Sequence, residues 1–334
     1  MDLLTQGLVG AAFVQAAPVK RTQLGIAGGF GFIAGLAPDL DAFIHSSTDP
    51  LTFLEYHRHF THSLAFIPVG GLLCALVVHW IFGRRWHLTF LQTFAFCTLG
   101  YATHGLLDAS TSYGTMLLWP FSDLRVSWSL VSIIDPLFTL PLAILTAVAW
   151  IKRKSFFARI GLCWAAFYLV LAIFQHDAAL AMGKQIAAER GHTPIRIEVK
   201  PSFANILVWK TIYETPNQFH VDAVRAGPAP RVFYGTSIPK FVPARDLPWL
   251  ALDSQQAMDI ARFNSLSLGF VAQDPKRPER IIDVRYSFLP NDIDALWSIE
   301  VSPDASAAAH ARFLTHRDDA AAKLDNLWRM LSMP

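Results

Sequence analysis

The chain has 334 residues, 53% of them hydrophobic and only 16% charged, with a formal net charge of +2. That composition excludes a disordered chain and is too apolar for an ordinary soluble enzyme. The near balance of 28 Lys and Arg against 26 Asp and Glu excludes the basic excess that nucleic-acid binding needs.

Charge is unevenly distributed, with 20 charged residues in 1–184 and 34 in 185–334. The sequence therefore predicts a polytopic α-helical membrane domain over 1–184 and a soluble α+β domain over 185–334. In chain order, Leu3 to Ala17 and Leu24 to Ala37 are short apolar stretches rich in Gly and Ala, suited to tilted or half-inserted helices. Leu64 to Phe82 and Leu88 to Leu107 each approach the ~20 residues that cross ~30 Å of hydrocarbon. Leu130 to Ile151 and Phe157 to Met182 add two more, giving about six helices, the first two short.

Met1 to Val19 holds no Lys or Arg, so no cleaved secretory signal is expected. Lys20-Arg21, Arg84-Arg85 and the group Lys152, Arg153, Lys154 and Arg159 fall in every second connection. Basic short loops stay cytoplasmic. The expected topology puts both termini and the C-terminal domain on the periplasmic side of a bacterial inner membrane. Beyond residue 185, Ile195 to Val199, Ala204 to Tyr213, Arg231 to Ser237 and Ile281 to Phe288 read as strands, and Asp253 to Asn264 and Pro303 to Leu331 as helices.

The ionisable residues of the membrane part form sets. Asp39 and Asp41 follow the second helix, His57-Arg58-His59 and His62 precede the third, His104 and Asp108 close the fourth, and Asp135 opens the fifth. The loop topology, derived from Lys and Arg alone, places all of them at the outer face. His104 and Asp108 share a helix face at i,i+4. Asp39 and Asp41 point the same way if their stretch is extended, and His57 reaches a shared metal only if its segment bends. Imidazoles and carboxylates together suit zinc, with manganese or iron as alternatives, in one ion or a close pair. Each residue also has an ordinary reading: Asp39, Asp41 or Asp108 as a helix cap, a lone His as an interfacial anchor. Arg58 and Arg125, the only basic residues in the outer connections, suit either an anionic substrate group or an internal ion pair with a nearby Asp. Ser110, Thr111 and Ser112 could orient ligands from behind. The three cysteines, Cys74, Cys97 and Cys163, lie in apolar runs and suggest neither disulfides nor a zinc knuckle. Neither a serine-hydrolase elbow nor a phosphate-cradling loop occurs.

Taken together, the opening Met1 to Gly7, Pro38-Asp39-Leu40-Asp41, His57 to Ser63, His104 to Asp108, Thr111 to Gly114, Pro120-Phe121 and Asp135-Pro136 resemble the YdjM-type inner-membrane, metal-dependent hydrolases over about residues 1–150. The resemblance implies metal ligands at Asp39, Asp41, His57, His62, His104 and Asp108, and a distant likeness to multi-zinc phospholipases and nucleases. Some members carry a His where this chain has Gln6, which offers only an amide oxygen. Residues from 185 onward lie outside the resemblance.

The expected function is hydrolysis of a phosphoester or other ester of a lipid or envelope compound by a metal-activated water, with Asp41 as proton acceptor and Arg58 at the substrate. Membrane lipids and a small-molecule or lipid substrate are the expected partners, and nucleic acid is not. A metal or ion transporter is the first alternative, although the apolar middles of Leu64 to Phe82 and Leu88 to Leu107 disfavour it. A non-catalytic envelope protein with a structural metal is the second.

Overall fold

A computed structural model of the chain describes residues 1–227, 229–316 and 320–332, with side chains from Lys323 onward in the last stretch. The chain divides into two compact units. One comprises Met1–Ile44, Tyr56–Ile173 and Phe203–Asn205; the other comprises His45–Glu55, Phe174–Ser202 and the chain from Ile206 onward.

The first unit is helical. Helix α1 (Leu3–Ala16) is N-capped by Asp2, whose carboxylate accepts the Thr5 amide at 3.1 Å. Helix α2 (Leu24–Leu36) runs straight into a 3-10 turn, Ala37–Phe43. A short α3 (Thr52–Tyr56) and two 3-10 turns, Phe60–His62 and Leu64–Phe66, lead into α4 (Ile67–Val78), which continues as a π-helical turn to Gly83. Helix α5 (Phe90–Ala109) starts at a Thr89/Gln92 capping box. Helix α6 (Pro136–Lys152) starts at an Asp135 cap with Pro at its first position, and α7 (Ser155–Glu189) is 35 residues long.

Helices α1, α2 and α5 meet through glycine. A Cβ on Gly100 would fall 2.4 Å from the Gly31 carbonyl oxygen, and one on Gly10 would fall 2.5 Å from the same atom. The backbones therefore touch, as small residues allow between apolar helices. Val14, Phe30, Ala34, Val78, Phe96 and Tyr101 fill the core beside this contact.

Among the described residues three helical stretches are long and apolar enough to cross a membrane: Leu24–Phe43, Leu64–Gly83 and Ser155–Glu189. Leu3–Ala16 and Pro136–Lys152 are apolar but shorter. The sequence expectation of about six membrane helices is thus supported only for three candidate spans. Two of the shortfalls have visible causes. Helix α5 carries Gln92, Thr93, Thr98, Thr103, His104 and Asp108, which dilute its apolar character. Leu130 and Val131, expected at the start of the next span, instead give their backbone N–H groups to the Ser110 carbonyl at 2.8 and 3.1 Å, so α6 cannot begin before Pro136.

The second unit holds two four-stranded antiparallel sheets. One is built in the order β1 (Arg196–Pro201), β2 (Val208–Glu214), β3 (Gln218–Arg225) and β4 (Arg231–Pro239). After the short α8 (Pro243–Asp246) and α9 (Gln255–Leu266), the second follows as β5 (Val271–Asp274), β6 (Arg277–Asp283), β7 (Trp297–Glu300) and β8 (Arg312–Thr315), before α10 (Ala320–Ser332). Ile212, Phe219, Val221 and Ile238 of the first sheet pack with Phe270, Ala272, Ile282 and Val284 in one core. The C-terminal part is therefore α+β with both sheets antiparallel. Strands β3, β5, β7 and β8 were not legible in the sequence. The expected helix Pro303 to Leu331 is replaced over Arg312–Thr315 by β8, because pairing with β7 satisfies that backbone; Arg317, Asp318 and Asp319 lie outside the described residues.

Candidate metal centre

Two candidate spans bring their adjoining ends together here. The 3-10 turn that ends Leu24–Phe43 carries Asp39 and Asp41, and the turn before Leu64–Gly83 carries His62. Helix α5 adds His104 and Asp108, both buried. The Asp pair sits on a 3-10 turn, so the condition of an extended stretch under which the two side chains would point the same way is not met.

Four atoms converge. His62 Nε2 lies 3.3 Å from Asp39 Oδ1 and 3.2 Å from Asp108 Oδ2; His104 Nε2 lies 3.4 and 3.5 Å from the same two oxygens; the two nitrogens are 3.0 Å apart. Ligands bonded at ~2.0–2.1 Å in a tetrahedral shell stand about 3.4 Å from one another, so the five separations match the donor spacing of such a shell.

Contacts behind these atoms orient the two rings. His104 Nδ1 donates to the Gly35 carbonyl at 2.6 Å, and His62 Nδ1 lies 3.0 Å from Thr61 Oγ1 and 3.1 Å from Asp41 Oδ2. A carbonyl can only accept, so His104 carries a proton on Nδ1, which leaves its Nε2 as the nitrogen able to bind a cation. Two imidazole nitrogens and two carboxylate oxygens face each other away from bulk water, which is repulsive unless positive charge, from a proton or a cation, sits among them. The titration of His62 reflects the same demand. Burial by itself lowers its basicity, but the carboxylates of Asp108, Asp39 and Asp41 outweigh it and raise the pKa to about 10. A metal cation satisfies all four donors where a proton satisfies one. The buried amide oxygen of Gln6, whose Nε2 donates to Asp108 Oδ1, has no hydrogen-bond partner among the described residues.

Asp41, buried, accepts from His57 Nδ1 at 2.9 Å, the Arg58 amide at 2.9 Å and Thr61 Oγ1 at 2.8 Å. His57 reaches this position because the chain bends at Arg58, whose φ is 62°. Asp39, Asp41 and His57 form a second group with metal-ligand spacing. In it His57 Nδ1 and Asp41 Oδ1 are hydrogen-bonded to each other at 2.9 Å. A third such group, Asp49, Asp259 and His310, lies in the second unit.

The remaining expected residues are placed as follows. The Arg58 guanidinium is buried, 3.0 Å from Asp108 Oδ2 and 2.7 Å from Thr111 Oγ1, so it forms the internal ion pair and does not line an opening. Arg125 donates to the His57 carbonyl at 3.2 Å. His59 stacks near Trp119 and stands outside the cluster, and Asp135 caps α6 and accepts from Tyr168. Sequence reasoning missed three supports: Gln6 Nε2 donating to Asp108 Oδ1 at 2.8 Å, the amino group of Met1 paired with the same oxygen, and the Gly35 carbonyl that orients His104. It also missed Gly105, where a Cβ would fall 2.2 Å from the His62 carbonyl oxygen. The Gly between the His104 and Asp108 ligand positions was the available signal.

A family model described as YdjM inner membrane protein matches residues 1–179. Over 108 residues the chain is 33% identical to inner membrane protein YbcI of Escherichia coli (strain K12), a match covering 31% of this chain and 60% of that protein. No solved structure matches. The family match spans more than half of the chain and contains every residue of the four-donor cluster, and the chain thus belongs to the YdjM inner membrane protein family.

Proposed function

We propose that the protein is a metal-dependent hydrolase of the bacterial inner membrane that cleaves a phosphoester or other ester of a lipid or envelope compound. Its C-terminal domain is on the periplasmic side, and membrane lipids or a small amphiphile supply the substrate. The observation that carries the reading is the convergence of two imidazole Nε2 atoms and two carboxylate oxygens at metal-ligand spacing. Asp39, His62, His104 and Asp108 would hold the ion. Two nitrogens and two oxygens suit zinc best, and manganese or iron next. Such an ion supplies a Lewis acid that makes water nucleophilic near neutral pH and polarises an ester oxygen.

The residues around it divide the other tasks. Asp41 has both oxygens engaged, so its role is to orient His57 and His62; the proton passes to His57, whose side chain is 18% exposed and whose Nδ1 is fixed on Asp41. The Asp41–His57 pair is internally satisfied, which favours one ion over two. Arg58 holds Asp108 in place from the buried side. A transporter would carry its ionisable groups at the middle of its spans. Here Asp39, Asp41 and His62 sit at span ends, which favours surface chemistry.

Metal analysis of the purified chain tests the reading. One zinc per chain is expected, falling to none in His62→Ala and His104→Ala, together with turnover in a screen of phospholipids and simple phosphoesters. Full metal content in both variants would overturn it; metal without turnover would move the assignment to a structural ion.

A further inference from the structure

Within the first unit, the chain between α5 and α6 makes an ordered excursion beside the metal centre. Thr115 and Val126 exchange both backbone hydrogen bonds, at 3.0 and 2.8 Å, and so close a finger over residues 116–125. Inside it the Trp119 amide donates to the Met116 carbonyl at 3.2 Å and the Phe121 amide to the Leu118 carbonyl at 2.9 Å, which turns the chain at its tip.

The base of the finger is tied to the segment that carries His57 and His62. The Met116 amide donates to the Arg58 carbonyl at 2.9 Å, the Leu117 carbonyl accepts from the Leu64 amide at 3.0 Å, and Arg125 donates to the His57 carbonyl at 3.2 Å. Met116 and Leu117 are buried, and the Trp119 ring stands 5.9 Å from the ring of His59 and 6.0 Å from that of Phe60.

The outward residues are apolar. Leu118, Phe121 and Leu124 are exposed, Phe121 to 88%. The turn that carries Asp39 and Asp41 repeats the pattern: Asp41 is buried, while Leu40 and Phe43 are 63% and 75% exposed. Large apolar side chains left outside the fold on two segments of one site mark a surface that something apolar covers.

The position of these residues in the chain says what covers them. Phe43 is the last residue of one candidate span, and Leu64, held by the finger, is the first of another. Both segments therefore stand at the end of a span, where hydrocarbon gives way to headgroups. Asp123 is exposed beside Phe121, and a carboxylate is costly in hydrocarbon, so the tip goes no deeper than the boundary between headgroups and acyl chains. The ester bonds of a phospholipid lie at that depth.

We propose that Leu40, Phe43, Leu118, Phe121 and Leu124 seat the metal centre in the surface of the bilayer, and that its substrate is a diacyl phospholipid entering sideways from the membrane with its acyl chains against the finger. The substrate half of this rests on the hydrolase reading above; the seating half does not, and the experiment reads them separately.

Phe121→Trp keeps an aromatic ring at the tip and adds one line to the fluorine spectrum of the full chain, labelled with fluorotryptophan and held in phospholipid nanodiscs. Lipids carrying a nitroxide high on the acyl chain should broaden that line more than a water-soluble gadolinium chelate does. A line broadened more by the chelate, or by neither agent, overturns the proposal. In the zinc-loaded chain, Phe121→Ser combined with Leu124→Ser should lower the ratio of phospholipid turnover to p-nitrophenyl phosphate turnover by about tenfold, because two apolar contacts with the lipid are lost. An unchanged ratio, or a wild type that cleaves the soluble ester and no phospholipid, overturns the substrate assignment. Should the double variant lose its zinc, Phe121→Ser alone decides by the same ratio. A wild type that cleaves neither substrate defeats the hydrolase reading, while the fluorine line still judges the seating.

Discussion

Replacing Gly105 with Ala separates the needs of a helix from the needs of the site. In an exposed helix interior Ala is better than Gly by about 1 kcal/mol, so secondary structure alone predicts a more stable protein. The tertiary contact predicts the opposite. The new Cβ would lie 2.2 Å from the His62 carbonyl oxygen, where separations under 3.0 Å essentially never occur. The obstacle is backbone on both sides, so α5 and the turn Phe60–His62 must part by about 1 Å. His104 and Asp108 are on one side of that gap and His62 on the other, and their donor atoms are 3.0 to 3.5 Å apart. Misplacement by about 1 Å costs on the order of a hundredfold in a site that depends on geometry. Gly105→Ala should therefore fold, keep its helix content and lose zinc affinity by about ten- to a hundredfold, as read by chelator competition beside a thermal scan. Zinc affinity within twofold of wild type together with a raised Tm would show that the close approach does not position the ligands.

Other substitutions probe single groups. His57→Gln should retain one metal per chain yet lower any hydrolysis by about 10²–10⁴-fold, the usual contribution of a general base; loss of metal in that variant would place His57 among the ligands instead. In the second unit, Lys200 and Lys210 face each other on β1 and β2 and are buried. Burial lowers both ammonium groups to about 7, with Arg285 adding to the effect at Lys200. An unfolded lysine titrates near 10.4, so between about pH 7 and pH 10 the unfolded chain binds more protons and stability rises with pH, by at most about 1.4 kcal/mol per pH unit for each lysine. Below pH 7 both states are protonated and the dependence flattens. Lys200 Nζ lies over the Tyr286 ring at 4.0 Å without a hydrogen bond, so Lys200→Met should raise the Tm of the C-terminal unit and about halve the slope. A variant with lower Tm and an unchanged slope would mean that this amine is not the titrating group.

The sequence by itself determined where the candidate metal ligands are concentrated. Asp39, His62, His104 and Asp108 stood out because ionisable residues are costly in apolar runs, and residue type and i,i+4 spacing are local properties readable without coordinates. It also determined the division into an apolar first part and a charged second part, since burial in lipid or in water follows from composition. Only the tertiary structure decided which partner each group takes. Arg58 pairs with Asp108 and Asp41 with His57, by contacts between segments far apart in the chain that no spacing rule encodes. The same holds for β8, where Arg312–Thr315 becomes a strand through the hydrogen bonds β7 offers it, and for α5, whose run of polar residues faces a protein interior that only neighbouring helices create. Local chemistry is written residue by residue, whereas backbone pairing and close approach depend on what the rest of the chain brings alongside.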